Sequence, residues 1–527
     1  MDSDRFRIDA LVDVAAFPHS VTKLELRETH ISWIVLTGPF AYKIKKPVRY
    51  DFVDASTLDR RKFLCEEEVR LNRRFAPDLY LDVVPIVRES GRLRVGGRGE
   101  PLEFAVKMLQ FDASQELAVL LDGHAVTPDD MRSIAAHLAD AHLRAAVAPA
   151  AGRFGTLEKI RAPMLDNFSL LRSHLHGADE LRQLDELARW TSDTLERLEL
   201  AVRSRQQSGM VRECHGDLHA RNIVRWRQRW LPFDCLEFDP DLRWIDVISD
   251  AAFLFMDLVS RHRTDLACGF LSRYLEETGD YAGLPLLPMY AAYFALVRAK
   301  VDALGVETAR PDERVALEAR LGERLATARR FMATGPASLV IMHGVSASGK
   351  SWLSERLVPE IQAVRIRSDL ERKRLAGVAP LAQCVDGVGE GDYTAAADQR
   401  TYQRLLECAG SALEGGCNVI IDATFLEQAR RDLFRALARQ RHCCFLIVSC
   451  TADATTLETR IELRARGGVD PSEADRAVLD HQLRSQQPLS DDELPDALPI
   501  DTRRLASADA GVLAVKSRLA ASGCLRG

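Results

Sequence analysis

The chain has 527 residues, enough for two or three domains. Its 46% apolar content is typical of globular proteins, and a net charge of −6 gives no general attraction to nucleic acid or anionic membranes. No apolar run reaches the roughly 20 residues of a membrane helix, and no secretion signal is visible at the N-terminus. Eleven cysteines without C-x-x-C spacing predict a cytoplasmic, reducing location and neither a disulfide framework nor a zinc site.

The first hundred residues alternate between apolar and polar positions, which predicts a small antiparallel sheet. The predicted strands cover 21–28, 30–36, 40–45, 82–88 and 102–109. Lys43 and Lys45 share one face of the third strand, because side chains alternate with period two. Only eleven of the 71 basic residues are lysine, so two lysines in one strand are informative. A helix predicted over 58–75 carries three successive glutamates, Glu66 to Glu68.

The pattern becomes helical at Thr127, which is followed by a proline and two aspartates typical of a helix start. Further helices are predicted near 178–205 and from Arg310 to about Met332. A β lobe at about 20–110 is therefore followed by a helical lobe at about 111–333. The sequence Ala333-Thr334-Gly335-Pro336 breaks the last helix, and this predicts two domains, 1–333 and 337–527.

The predicted helical lobe contains the motif His215-Gly216-Asp217. Asn222 follows five residues after the aspartate, and Asp234 lies at the end of an apolar segment. Enzymes that transfer phosphoryl groups use these residue types. One carboxylate accepts the proton of the attacking hydroxyl, while the asparagine and the other carboxylate hold Mg²⁺. A capped turn would explain the first three residues alone, but it does not explain the spacing of the whole set.

The pattern H-G-D-x-x-x-x-N followed by F-D resembles the aminoglycoside phosphotransferase family, over roughly residues 20–325. Members of that family and its relatives phosphorylate aminoglycosides, choline, fructosamine-type sugars and other small molecules, and they share a protein-kinase-like two-lobed α+β fold. The resemblance implies that Asp217 is the catalytic base and that Asn222 and Asp234 are Mg²⁺ ligands. It also implies that His215 braces the catalytic loop.

The same resemblance implies that a strand lysine binds the α- and β-phosphates of ATP and pairs with a helix glutamate. Lys43 with Glu68 is the favoured pair, because the apolar Leu71 follows three residues later. Lys45 with Glu67 is the alternative pair.

Two departures from the family pattern bear on function. The predicted turn near Thr29-His30 lacks the G-x-G-x-x-G of a phosphate-covering loop. No long activation segment separates Asp234 from Asp246, which favours a small-molecule hydroxyl acceptor over a protein.

Asp246 and Asp250 would share one helix face. They would support the catalytic loop, bind a cationic amino-sugar or favour a helix start.

The most specific motif is Gly344 to Ser351, which matches G-x-x-x-x-G-K-[ST] between a predicted strand at 338–342 and a helix. Glycines let the backbone N–H groups of such a loop surround phosphates, and the helix N-terminus adds positive potential. Lys350 would reach the β- and γ-phosphates, and Ser351 would hold Mg²⁺. The predicted nucleotide-binding residues are Gly344, Ser346, Ser348, Gly349, Lys350 and Ser351.

The residues after this loop predict a parallel α/β sheet. Predicted strands at 363–369, 418–422 and 443–450 alternate with helices, including one at 392–414. Ligands gather at the carboxyl ends of such strands, so Lys350, Asp369 and Asp422 are expected at one edge.

This part resembles the P-loop small kinases, a group that includes polynucleotide kinase, zeta toxin and gluconate kinase. The resemblance implies that Asp369 activates the acceptor hydroxyl and that Asp422 assists Mg²⁺ or the substrate. Arg460, Arg464 and Arg466 resemble the arginine lid of these enzymes, whose guanidinium groups offset charge on the transferring phosphoryl group.

The whole chain resembles bacterial fusions of an aminoglycoside phosphotransferase-like domain with a P-loop, AAA-type ATP-binding domain. We therefore expect an ATP-dependent phosphotransferase with two ATP·Mg²⁺ sites and small-molecule hydroxyl acceptors. One alternative is a regulatory protein in which one domain binds or hydrolyses ATP without an acceptor. Another is nucleic-acid end repair, which the acidic charge and the lack of a basic, aromatic stripe disfavour. The sequence specifies neither the acceptors nor the oligomeric state.

Overall fold

The computed structural model describes residues 6–50, 53–333, 335–378, 395–467, 476–503 and 506–524. The chain forms two compact units, one of Met1–Lys159 with Val202–Leu254 and the other of Ile160–Ala201 with Phe255–Gly527. The predicted boundary at 333–337 lies inside the second unit, and the division into domains 1–333 and 337–527 stays a prediction.

Strands and helices are numbered along the chain. The strands are β1 Glu25–Glu28, β2 Ser32–Leu36, β3 Phe40–Lys45, β4 Arg49–Tyr50, β5 Val53–Asp54, β6 Tyr80–Glu89, β7 Arg92–Val95, β8 Pro101–Leu109, β9 Val211–Glu213, β10 Ile223–Trp226, β11 Arg229–Pro232, β12 Trp244–Asp246, β13 Ser338–His343, β14 Ala363–Arg367, β15 Asn418–Asp422, β16 Cys444–Thr451 and β17 Ala497–Asp501. The helices are α1 Leu58–Asn72, α2 Leu117–Asp122, α3 Pro128–Arg144, α4 Leu157–His174, α5 Ala178–Arg197, α6 Glu199–Gln207, α7 Val247–Ser260, α8 Thr264–Thr278, α9 Leu287–Thr308, α10 Pro311–Met332, α11 Lys350–Glu360, α12 Ser368–Leu375, α13 Ala395–Glu414, α14 Gln428–Gln440, α15 Ala454–Gly467, α16 Arg476–Ser485 and α17 Ala506–Ala521.

The first unit contains a six-stranded antiparallel sheet in the order β1-β2-β3-β8-β6-β7. One face buries Val35, Tyr42, Ile44 and Ile86 in an apolar core. The alternation in β3 therefore turns its lysines to the other face. The strand β7 escaped sequence prediction because its four residues contribute only two apolar side chains.

Helix α1 packs on the lysine-bearing face of this sheet. The side chain of Thr57 caps its N-terminus by accepting a hydrogen bond from the Arg60 backbone N–H at 3.3 Å. The helix buries Leu64, Cys65 and Glu68. Arg61 and Asn72 are buried on the same helix. A glutamate is thus carried into the interior, where it needs a charged partner.

The second unit contains a parallel sheet in the order β14-β15-β13-β16-β17. All six residues of the central strand β13 are buried, as a strand covered on both faces requires. The strand predicted at 363–369 ends early, at Arg367, because α12 begins at Ser368. Asp369 therefore lies in the first turn of a helix and not at a strand end.

Helix α8 covers the edge strand β14. The Arg365 backbone N–H donates to Ser272 Oγ at 3.0 Å, and Arg365 Nε donates to Glu276 Oε1 at 2.9 Å. Both Arg365 and Glu276 are buried. A helix outside the P-loop motif therefore protects the sheet edge and satisfies its backbone.

One pair of cysteines in the described residues is joined, while the other described cysteines are thiols. Cys444 and Cys524 form a disulfide with a Cα–Cα distance of 6.2 Å across 80 residues of sequence. The sequence could not indicate this pairing, because it depends on where α17 returns to β16 and not on cysteine spacing.

One segment in the described part of the chain, Tyr281–Glu307, has the length and apolar composition of a membrane helix. It was not apparent as an apolar run because Arg298, Lys300 and Asp302 interrupt it. In the structure, 67% of its most apolar window is buried, and the core helix of a soluble protein passes the same test.

Candidate active sites

The first candidate site is centred on the two lysines of β3. Lys43 Nζ lies 2.8 Å from Glu68 Oε1 and 2.5 Å from Asp234 Oδ1. Lys45 Nζ lies 2.5 Å from Glu68 Oε2 and 2.5 Å from Glu237 Oε1. One buried glutamate therefore bridges both lysines, and each lysine reaches a different acid after β11.

The alternative pairing of Lys45 with Glu67 does not form. Glu67 bonds instead to Arg70, at 2.8 Å, and to Arg243, at 3.3 Å. Glu67 and Glu68 are adjacent on a helix, about 100° apart around its axis, so only one of them can face the sheet.

The charges of this site are set by a balance of burial and ion pairing. Burial alone would lower the pKa of Lys43, but Asp234 and Glu68 outweigh it and the pKa lies well above its ordinary value. Partial burial of Asp234 would raise its pKa, but Lys43 outweighs this effect and the pKa is lowered. For Glu237, burial outweighs Lys45 and the pKa is raised. Lys43 and Asp234 are therefore both ionised at neutral pH.

The residues of the predicted catalytic loop lie next to one another. Asn222 Nδ2 donates to the backbone oxygen and to Oδ2 of Asp217, both at 2.9 Å. Asp217 Oδ2 also lies 3.5 Å from His219 Nε2. The side chains of Asp217 and Asp234 are 38% and 42% exposed, so both acids remain accessible to a ligand.

His215 connects the catalytic loop to the residue before Asp234. Its Nδ1 accepts the backbone N–H of Asp217 at 3.3 Å, and its Nε2 donates to the Phe233 carbonyl at 2.9 Å. Burial lowers the pKa of His215, which keeps the ring neutral, as one donor and one acceptor nitrogen require. The geometry is that of a positioning residue.

Asp250 stabilises the His215–Asp217 loop through hydrogen bonds to its backbone. It accepts the backbone N–H groups of His215, at 3.0 Å, and Gly216, at 2.9 Å, and it contacts His142 Nε2 at 3.0 Å. Of the roles considered from the sequence for this acid, loop support agrees with its complete burial.

Asp246 is likewise committed to internal contacts. It forms a two-pronged pair with Arg205, with distances of 2.6 and 2.7 Å. Neither Asp246 nor Asp250 is exposed to meet a cationic substrate.

The turn between β1 and β2 is short. The Thr29 backbone N–H donates to the Ser32 carbonyl at 2.9 Å, and Lys46 Nζ lies 2.6 Å from Glu28 Oε1. This compact turn agrees with the lack of glycines there and leaves no long loop between these two strands.

The second candidate site is the P-loop between β13 and α11. Gly344 has φ 133°, and a Cβ there would lie 2.4 Å from the Cys450 carbonyl oxygen. Gly349 has φ 90°, and its Cβ would lie 3.0 Å from Thr502. Only glycine fits both positions. Lys350 Nζ donates to the Val345 carbonyl at 2.7 Å, inside the loop.

The loop is also held from outside by residues that sequence reasoning missed. Thr502 Oγ1 donates to the Ser348 carbonyl at 2.7 Å. The Ser346 backbone N–H donates to Gln482 Oε1 at 2.7 Å. These contacts join the loop to segments about 130 to 150 residues later, so no local motif could have indicated them.

Arg460 of the predicted arginine lid contacts the loop directly. It donates to the Ala347 carbonyl at 3.0 Å and to the Thr502 carbonyl at 2.5 Å. The side chains of Arg464 and Arg466 lie outside the described residues.

Two predicted acids flank one arginine at the carboxyl edge of the parallel sheet. Arg367 Nη2 donates to Asp369 Oδ2 at 2.6 Å, and Arg367 is paired in register with Asp422 across β14 and β15. Burial alone would raise the pKa of Asp369, but Arg367 outweighs it and the pKa is lowered. Asp422 is buried and accepts from Ser354 Oγ at 3.1 Å.

Both sites present atoms suited to a nucleotide with Mg²⁺. In the described residues, Ser348 Oγ is buried without a hydrogen-bond partner, inside a loop that only glycine backbones can form. In the first site, Asn222 uses its NH₂ group on Asp217, which leaves its amide oxygen for another ligand. Amide, hydroxyl and carboxylate oxygens are the donors that Mg²⁺ prefers.

The strand orders and loops define the class of the protein. The first unit has the sheet, helix glutamate and H-G-D loop of a protein-kinase-like phosphotransferase, and the second has the sheet and loop of a P-loop kinase. The family model AAA_33, an AAA domain, matches residues 339–489. The predicted fold class, a fusion of these two folds, is confirmed.

Related proteins share this length. The chain is 30% identical to Uncharacterized protein Rv2004c of Mycobacterium tuberculosis over 467 residues, which is 88% of this chain and 91% of the relative. Uncharacterized protein Mb2027c of Mycobacterium bovis matches with the same values. The chain belongs to the family of these mycobacterial proteins.

Solved structures of similar proteins cover each part. A choline/ethanolamine kinase family protein from Mesorhizobium loti is 14% identical, with a TM-score of 0.37, over 61% of this chain and 99% of that one. An aminoglycoside phosphotransferase from Alicyclobacillus acidocaldarius is 13% identical, with a TM-score of 0.36, over 60% and 92%. An APS kinase from Mycobacterium tuberculosis is 18% identical, with a TM-score of 0.26, over 35% and 98%. The fold assignment itself rests on the strand orders and loops described above.

Proposed function

We propose that the chain is a cytoplasmic phosphotransferase with two ATP·Mg²⁺ sites, and that its first unit phosphorylates a hydroxyl group of a small molecule. The observation that carries the proposal is the shared contact of Lys43 with Glu68 and Asp234, beside the bonded pair Asp217 and Asn222. A protein that only binds nucleotide has no need of an accessible base beside the metal ligands.

In the proposed reaction, Asp217 accepts the proton of the acceptor hydroxyl as its oxygen forms a bond to the γ-phosphorus. The bond from that phosphorus to the β–γ bridging oxygen breaks, and ADP leaves with the electron pair. Lys43 orients the α- and β-phosphates, and Glu68 orients Lys43. Asn222 and Asp234 would hold Mg²⁺, which neutralises charge on the phosphates when bound.

A small acceptor is favoured by the short connection after Asp234. Only residues 235–243, which include the helical turn Pro240–Leu242, separate it from β12, so the chain lacks room there for a long peptide-binding segment. In the second unit, Lys350 and Ser351 would bind ATP·Mg²⁺ with Asp422, and Asp369 would activate a second acceptor. Arg460 and Arg464 would close over the transferred group.

The second candidate function is nucleotide sensing by one unit. The compact turn between β1 and β2 favours it, because the first unit then contacts phosphates without a covering glycine loop. A sensing unit would bind ATP·Mg²⁺ and show no acceptor-dependent turnover.

The test measures ADP release by the Lys350→Ala protein with ATP, Mg²⁺ and a panel of aminoglycosides, choline and sugars. Lys350→Ala removes the P-loop lysine, so acceptor-dependent release belongs to the first unit. We expect release with at least one class of hydroxyl compound and its loss when Asp217→Asn is added. Nucleotide binding without release for any acceptor would favour the sensing function.

A further inference from the structure

The second unit contains a cavity of about 800 Å³ that none of the motifs explains. Its wall includes Ala337, Gln362 and Asn418, which lie at the amino ends of β13, β14 and β15. The P-loop follows the carboxyl end of β13, and Asp422 is the last residue of β15. The cavity is therefore separated from the nucleotide site by the length of the parallel sheet.

The cavity has an apolar interior and a cationic rim. Trp190, Phe255 and Phe331 contribute aromatic surface, and the rings of Phe255 and Phe331 lie 6.1 Å apart. Three exposed arginines and one exposed histidine also line it: Arg197, Arg330, Arg441 and His442.

The rim has an excess of positive charge. Glu414 is the one acid among the lining residues, and it lies 3.3 Å from Arg441. Within the described parts of the chain, no carboxylate pairs with Arg197 or Arg330. Two arginines therefore line the cavity without an ion pair to a described carboxylate.

We infer that this cavity is a further small-molecule site, separate from the nucleotide sites. Its ligand would be an amphipathic anion with an aromatic or alkyl body and one carboxylate, sulfonate or phosphate group. The volume lies within the range of small-molecule sites, roughly 300–1,000 Å³, which are mostly apolar with a few placed polar groups. The apolar body would occupy the aromatic interior. The anionic group would lie at Arg197 and Arg330, where charge-assisted hydrogen bonds are strongest.

A purely structural role for the two arginines makes a different prediction. Arg197 is the last residue of α5, and Arg330 lies in the last turn of α10, where a cation stabilises the helix dipole. If that were their whole role, replacing them would lower stability and leave ligand binding at the cavity unchanged.

The test uses two probes of similar shape and different charge with the full-length protein. One is 8-anilinonaphthalene-1-sulfonate and the other is the neutral N-phenyl-1-naphthylamine. Both are titrated in the presence of saturating AMPPNP and Mg²⁺, which occupy the nucleotide sites. We expect the double variant Arg197→Gln/Arg330→Gln to raise the Kd of the sulfonate by at least about tenfold and that of the neutral probe by less than about twofold.

Arg329→Gln is the matched control, because this exposed neighbour of Arg330 is outside the cavity lining and lies 3.9 Å from Glu186. It should leave both Kd values unchanged. Met332→Trp, which places a larger side chain in the wall, should weaken both probes. A lack of sulfonate binding in the presence of saturating AMPPNP, or a sulfonate Kd unaffected by the double variant, would overturn the inference. Circular dichroism spectra and Tm values identify variants that fail to fold.

Discussion

The two candidate sites would hold phosphates in different ways. The first is assembled from side chains far apart in sequence, since Lys43 and Asp234 are 191 residues apart. The second is a contiguous loop of eight residues, Gly344 to Ser351. Its backbone N–H groups would supply most of the contacts to phosphate. The first site therefore depends on where its charged side chains lie. The second depends on the shape of its backbone and on the contacts that fix that shape.

The largest effect is expected at the base of the first site. In a Lys350→Ala background, Asp217→Asn should lower acceptor-dependent turnover by about 10²- to 10⁴-fold, because general-base catalysis contributes that much. Single-turnover ADP formation measures it. Asp78→Asn is the control, since this exposed acid pairs only with Arg229 in the described structure. A loss below about threefold would show that Asp217 is not the base.

The second unit depends on a buried ion pair outside its P-loop. Arg431 and Glu493 are both fully buried and form two hydrogen bonds, at 2.6 and 2.9 Å. Arg431→Ala leaves a buried carboxylate without its partner and should cost about 3–5 kcal/mol in the free energy of unfolding. Urea denaturation, followed by a signal from the second unit, measures this loss of stability. Arg439→Ala, at an exposed position of the same helix, should cost less than about 0.5 kcal/mol.

A buried histidine before the P-loop gives the second unit a pH dependence. Burial, with help from Arg431 and Lys350, lowers the pKa of His343 from 6.5 to about 4. The unfolded chain therefore takes up a proton before the folded one, and stability present above pH 6.5 is lost as the pH falls towards 4. The loss reaches up to about 3 kcal/mol.

Hydrogen exchange of the β13 amides between pH 7 and 4, corrected for intrinsic exchange, measures this effect. We expect His343→Gln to flatten the profile, because glutamine does not titrate. His442→Gln is the control, since this histidine is exposed. An unchanged profile in His343→Gln would assign the pH dependence to other groups.

The smallest effect concerns the contact that holds the P-loop from outside. Thr502→Val removes the hydrogen bond from Thr502 Oγ1 to the Ser348 carbonyl, and it should raise the Kd of AMPPNP·Mg²⁺ at the second site about three- to tenfold. Thr459→Val is the control, because its hydroxyl bonds only within α15. A Kd unaffected by Thr502→Val would mean that the loop keeps its shape without this brace.

The same contrast explains what the sequence could predict. The P-loop was readable because its residues are contiguous. The pair of Lys43 with Glu68 was expected from the resemblance to the aminoglycoside phosphotransferase family, and the position of Leu71 favoured Glu68 over Glu67. The second pair, Lys45 with Glu237, spans 192 residues, much as Lys43 and Asp234 span 191. It was missed because Glu237, unlike Asp234, belongs to no motif that assigned it a role. Thr502 and Gln482 carry no local signal, since any segment could have come to lie beside the loop.

The most direct test of the account counts nucleotide sites. Equilibrium dialysis with AMPPNP and Mg²⁺ should give two sites per chain for the natural sequence. Lys350→Ala and Lys43→Ala should each leave one site, and the double variant should leave none. A single site in the natural sequence would contradict the claim that both units bind ATP. Two sites remaining in Lys43→Ala would contradict the role of Lys43 in the first of them.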